Sequence, residues 1–123
     1  MSSAAAQAYA RVADTTASPR ENEAKALLMA ANKLQAVMTN ANSTFQQMSD
    51  ALMFNRKLWT IFLSEAHRDG NPQPLEVRQK IANIGVFVLS HTTAALQISR
   101  QRQHFKPLIE INRNIAAGLG GRA

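Results

Sequence analysis

The chain has 123 residues, 46% of them hydrophobic, no cysteine and a formal net charge of +6. A domain of this length buries about two-thirds of the surface its unfolded chain exposes, so it folds without a metal or disulfide staple. The lack of cysteine excludes disulfides, thiolate nucleophiles and Cys-based zinc sites, and fits a reducing compartment.

The first ten residues carry neither the charged leader nor the apolar segment of a secretory signal. The longest apolar runs are Leu27-Leu28-Met29-Ala30-Ala31 and Val86-Phe87-Val88-Leu89. Both fall well short of the roughly 18 residues that a membrane span takes. The expectation is a cytoplasmic protein with no membrane insertion.

In chain order, residues 1–17 are rich in Ala, Ser and Thr and read as a flexible segment or a short helix over 4–12. Residues 18–123 read as one helical domain. Ser18-Pro19-Arg20-Glu21 opens its first helix, with Ser18 as cap, Pro19 at the first helical position and Glu21 three residues after the cap. Leu27, Ala31, Leu34 and Met38 recur at helical spacing, so this helix runs to about residue 40. Asn42 or Ser43 then caps a second helix over 44–68, stopped by Asp69-Gly70. After the turn Gly70-Asn71-Pro72-Gln73-Pro74, a third helix runs to about 101. Pro107 opens a fourth that ends at Leu119-Gly120-Gly121. The fold class is all-α, a compact bundle of about four helices, three long and one short at the C-terminal end.

The second helix carries two apolar stripes. Phe45, Met48, Leu52, Trp59, Leu63 and Ala66 form one; Phe54, Leu58 and Ile61 form another, with Phe62 between. Together they cover about half the circumference, wider than the roughly 100° of an ordinary amphipathic face. Such a helix touches two neighbours, or one neighbour and a partner. Asn55 falls near the middle of this arc and needs a hydrogen-bond partner on another helix or a ligand. The third helix is equally broad. Val77, Ile81, Ile84, Val88, Thr92 and Ala95 form its core stripe, widened by Leu75, Ala82, Val86, Leu89 and Leu96. This much apolar helix points either to a fully packed core or to an exposed groove.

No catalytic constellation is present in the sequence. His67, His91 and His104 lie far apart and make no HExxH pattern, the carboxylates are scattered, and no phosphate loop can be built from the five glycines. The expectation is a protein that is not an enzyme, with no cofactor and no metal. The densest basic stretch is Arg100, Arg102, His104 and Lys106. Such cations either suit a helix C-terminus or meet RNA phosphates, and no RNA-binding motif accompanies them.

Several blocks in order resemble the FlaF family of flagellar biosynthesis regulators. The first is Ala17-Ser18-Pro19-Arg20-Glu21-Asn22-Glu23. The central block is Asn55-Arg56-Lys57-Leu58-Trp59-Thr60-Ile61-Phe62, similar to NRxLWxxF. Asn71, Leu75, Val77 and Arg78 resemble the family's turn, although Pro74-Leu75 departs from its Leu-Pro order. Ile81-Ala82-Asn83-Ile84-Gly85-Val86-Phe87-Val88 with His91-Thr92 resembles the third helix, and Leu108-Ile109-Glu110-Ile111-Asn112 with Gly118-Leu119 the C-terminal block. The resemblance spans about residues 17–120 and is weakest over 96–103.

It implies a factor needed for flagellin production and filament assembly, with flagellin as protein client and the regulator FlbT, which acts on flagellin mRNA, as functional partner. The leading expectation is a flagellin-binding chaperone and regulator. The alternative is a post-transcriptional regulator acting through RNA or through FlbT. The expected partner-binding residues are Trp59 and Phe62 as apolar anchors and Asn55 and Arg56 as polar readers. Leu75, Phe87, His91, Ile109 and Asn112, all within the blocks above, complete the set. Internal packing is the competing reading of all four of Asn55, Arg56, Trp59 and Phe62, with Trp59 and Phe62 as core residues.

Overall fold

The structure, a computed structural model, describes residues 19–98 and 102–120. The expectations for residues 1–17, for Ser18 as a cap and for Arg100 lie outside these. The described residues form α1 (Pro19–Thr39), α2 (Phe45–Ala66), α3 (Leu75–Gln97) and α4 (Lys106–Leu119), with a 3-10 turn (Arg102–Phe105) leading into α4. No strand occurs among them, and none of the helices is long and apolar enough to cross a membrane.

The helix ends follow local chemistry. α1 opens on Pro19 with Glu21 in its first turn, where the missing N–H costs nothing and a carboxylate suits the helix dipole. The cap of α2 is Thr44, one residue beyond the expected Asn42 or Ser43. Its hydroxyl accepts from the Gln47 backbone N–H at 3.0 Å, and the Gln47 side chain accepts from the Thr44 N–H at 2.9 Å. Two otherwise orphaned donors are thereby satisfied in a capping box. α2 ends at Ala66 with His67 as its cap. Gly70 adopts φ +81° in the turn beyond, so it bends the connection and does not itself terminate the helix. α3 ends at Gln97, short of the expected 101.

α1 packs against both α4 and α2, and α2 also packs against α3. The spatial order is therefore α4–α1–α2–α3. α1 reaches both neighbours because Ala24, Ala26, Ala30 and Ala31 are buried beside Leu27 and Leu34, and small side chains allow close helix approach. The wide apolar arc of α2 is buried at Met48, Leu52, Phe54, Leu58, Trp59 and Phe62, as a helix between two neighbours requires.

Of the two possibilities for the broad apolar faces, packed core or exposed surface, exposure holds at three positions: Phe45 on the first α2 stripe is 61% exposed, and Leu75 and Val86 on the widened face of α3 are each 60% exposed. α3 packs closely on α2 alone, so only Gly85, Val88, Thr92 and Ala95 are fully withdrawn from solvent. At Gly85 a Cβ would stand 3.4 Å from Leu63 and 3.6 Å from Trp59, which marks where α3 lies closest on the indole. α3 and α4 make no comparable close packing with one another.

Candidate functional site

Three of the expected site residues form one polar cluster inside the core. Trp59 Nε1 donates to Asn112 Oδ1 at 2.8 Å, and Asn112 Nδ2 donates to Asn55 Oδ1 at 2.6 Å and to the Leu27 carbonyl at 3.4 Å. Asn55, Trp59 and Asn112 are each fully buried, and Ile109 is 4% exposed. The need for a partner at Asn55 is thus met by α4 at its Oδ1. Asn55, Asn112 and Ile109 were expected at a binding surface; the folded bundle places them inside, because a buried amide is stable only when bonded. Among the buried side-chain polar atoms of the described residues, Asn55 Nδ2 alone is left without a partner.

From this cluster the aromatic pair Trp59 and Phe62, edge-to-face with centroids 5.6 Å apart, reaches a narrow cleft between the first turns of α3 and the end of α4. Its apolar walls are Ile81 of α3 and Ile115 and Leu119 of α4, with Leu27 behind. Glu23 of α1, Glu65 of α2 and Arg78 of α3 stand around it. The inner volume is about 30 Å³, room for a water or two. The α2–α3 connection is pinned beside it. Asn71 Nδ2 donates to the Glu65 carbonyl at 2.8 Å, Asn71 Oδ1 accepts from the Gln73 N–H at 2.8 Å, and Arg78 Nε donates to the Gln73 carbonyl at 3.2 Å. Asn71 and Arg78, which carry part of the resemblance, therefore shape the rim.

The acidic side of the cleft is electrostatically uneven. Glu65 is paired with Arg68 at 2.7 Å. Glu23 makes no ion pair within 4 Å among the described residues. Burial raises its pKa above the ordinary 4.5, repulsion by Glu65 adds to the rise, and Arg20 opposes it. Desolvating a carboxylate without a partner is unfavourable, and such groups concentrate at functional sites.

The remaining expected residues lie apart from the cleft. Arg56 is half-buried on α2, and Leu75 is exposed at the start of α3. Phe87, 48% exposed, stacks on His91 with centroids 5.4 Å apart. His91 Nε2 donates to the His104 carbonyl at 2.8 Å; a carbonyl only accepts, so this nitrogen carries the proton. His91 sits ten residues beyond Ile81, about 15 Å along the helix. The structure thus brings Trp59 and Phe62 to the cleft and leaves Arg56, Leu75, Phe87 and His91 on other surfaces.

Glu23, Ile81, Ile115 and Leu119 line the cleft, although none of them was expected at a site. The signal was the four-residue spacing of Ile111, Ile115 and Leu119, a half-buried stripe beside the buried Leu108, Asn112 and Ala116. The basic stretch has a structural use: Arg102 donates to the Asn40 carbonyl at 2.6 Å and to the Ala41 carbonyl at 3.2 Å. Its cation sits at the C-terminal end of α1, where free carbonyls accumulate. Among the described residues, no three His, Cys, Asp or Glu side chains gather where they could hold a metal ion.

Comparison with curated proteins and with solved structures gives no match. The family model for flagellar protein FlaF matches residues 5–119, a span that takes in all four helices, the buried Asn55–Trp59–Asn112 cluster and every wall of the cleft. On that match the chain belongs to the FlaF family of flagellar proteins.

Proposed function

We propose that this protein binds flagellin in the cytoplasm and promotes its synthesis, secretion and assembly, without catalysing a reaction. The observation that carries this reading is membership of the FlaF family, with the cleft beside Trp59 and Phe62, between the first turns of α3 and the end of α4, as the candidate contact. A client side chain at the mouth of that cleft would meet Ile81 on one side and Ile115 and Leu119 on the other, as the apolar anchors of amphipathic helices meet apolar surfaces. Family membership supports a flagellar client. The RNA reading loses support at Arg102, whose guanidinium is occupied by α1 carbonyls.

The test is titration of the full chain with purified monomeric flagellin, followed by Trp59 fluorescence and calorimetry. Saturable one-to-one binding with a Trp59 shift is expected, and Leu119→Asp should weaken it at least tenfold, because a charge would then enter an apolar contact. Binding that Leu119→Asp leaves unchanged would move the client elsewhere. Absence of binding to flagellin together with binding to FlbT would make the protein an adaptor instead.

A further inference from the structure

The outer face of α3 differs from those of the other helices. α1 exposes Lys25 and Lys33, α2 exposes Asp50 and Lys57, and α4 exposes Glu110 and Arg113. From Ile81 to Gln97, α3 carries no Asp, Glu, Lys or Arg. It packs closely on α2 alone, through Gly85, Val88, Thr92 and Ala95. Leu75, Val86, Phe87 and, at the C-cap, Ile98 are exposed. The other large hydrophobics exposed among the described residues, Leu28, Phe45 and Met53, are scattered over α1 and α2. Apolar side chains gathered on one uncharged face mark a contact surface.

The spacing of these four side chains identifies what fits them. Leu75 stands eleven residues before Val86, and Ile98 eleven residues after Phe87. Eleven residues make close to three turns, so Leu75 and Val86 lie on one flank of the face and Phe87 and Ile98 on the other, about 100° away. The set is symmetric about the point between Val86 and Phe87. An antiparallel copy of α3, related by a two-fold axis at that point, sets Val86 level with Phe87 of the other copy and Leu75 level with Ile98. Between the flanks, the same axis sets the Asn83 amide level with the Ser90 hydroxyl. Glu76 falls level with Gln97 and Lys80 with Thr93, so no charge meets a like charge. Self-complementarity of this kind is what a two-fold interface requires.

We infer that the occupant of this face is a second copy of the chain, and that the protein forms a two-fold dimer through antiparallel α3 helices. A net charge of +6 makes two copies repel one another. The uncharged face of α3 is where they approach at least cost. One helix from each copy buries less than the ~800 Å² per partner of a standard interface, so the dimer is weak, with a Kd of roughly micromolar order. Dimerisation is independent of flagellin binding at the cleft, because Ile81, the α3 wall of that cleft, packs against the core and not on this face.

Sedimentation velocity of the full chain, from about 1 to about 500 µM, measures the association. A monomer–dimer equilibrium is expected, strengthened by salt, which screens the repulsion between two cationic chains. Val86→Glu should raise the Kd at least tenfold with the helical circular dichroism unchanged, since a carboxylate would then enter an apolar contact. Leu75→Lys, at the exposed first residue of α3, replaces it if Val86→Glu unfolds. Because the chain has no cysteine, single-cysteine variants and a short bismaleimide read the register. Leu75→Cys mixed with Ile98→Cys should cross-link far faster than either variant alone, and Thr60→Cys, exposed on α2, should not cross-link. A chain that stays monomeric over the whole range overturns the dimer, and so does an association that neither Val86→Glu nor Leu75→Lys weakens. Cross-linking of Leu75→Cys to itself in preference to Ile98→Cys overturns the antiparallel pairing. If the chain is monomeric and Val86→Glu abolishes flagellin binding, the face belongs to the client and not to a second copy.

Discussion

Asn112 shows how one side chain can hold three helices. It accepts from Trp59 and donates to Asn55, both on α2, and its amide also approaches the Leu27 carbonyl on α1. Removing it leaves the indole N–H and the Asn55 carbonyl buried without partners, and an orphaned buried group costs more than the bond it made. Asn112→Ala should therefore destabilise the fold by about 2–4 kcal/mol, measured by urea denaturation. A cost under about 1 kcal/mol would mean that water satisfies the exposed groups. Trp59 has two roles at this scale. Its N–H belongs to the core cluster while its ring floors the cleft, so its fluorescence reports both on stability and on an occupant.

Among the elements, the connection before α4 does more than its short 3-10 turn suggests. Arg102 gathers carbonyls from the end of α1, and the carbonyl of His104 ties the turn to His91 on α3. Phe105, fully buried, seats the turn in the core. Arg102→Met keeps much of the aliphatic stem and removes the donors. It should lower stability by about 1–2 kcal/mol in thermal denaturation, as expected for loss of charge-assisted bonds at a helix terminus. If the basic stretch acted only as a solvated surface, the change would stay within about 0.5 kcal/mol.

At the scale of the whole molecule, the order α4–α1–α2–α3 makes α3 the least enclosed element. It buries Gly85, Val88, Thr92 and Ala95, whereas α2 buries Trp59, Phe62, Phe54 and three further large apolar residues, Met48, Leu52 and Leu58. Opening free energy follows buried contact. Amide hydrogen exchange should therefore show protection in α1, α2 and the middle of α4 that exceeds the protection in α3. Equal protection throughout would mean that α3 is locked into one cooperative unit with the rest.

The number, order and approximate limits of the helices were legible in the amino-acid sequence. Apolar spacing, the Pro19 start, the Gly70 turn and the Pro107 start are local signals, and local backbone chemistry sets them. The need of Asn55 for a partner was legible as well, because an amide in the middle of an apolar arc is unstable alone. So was the family, since several blocks recur in order along nearly the whole chain. Which apolar faces close was settled by packing. Periodicity gives the direction in which a side chain points from its own helix but not whether another helix stands there. That is why Asn55, Asn112 and Ile109 lie inside, and why Leu75, Val86 and Phe45 remain exposed. The cleft was illegible for the same reason: Glu23, Ile81, Ile115 and Leu119 come from three helices far apart in the sequence. Their meeting depends on the order in which the four helices pack.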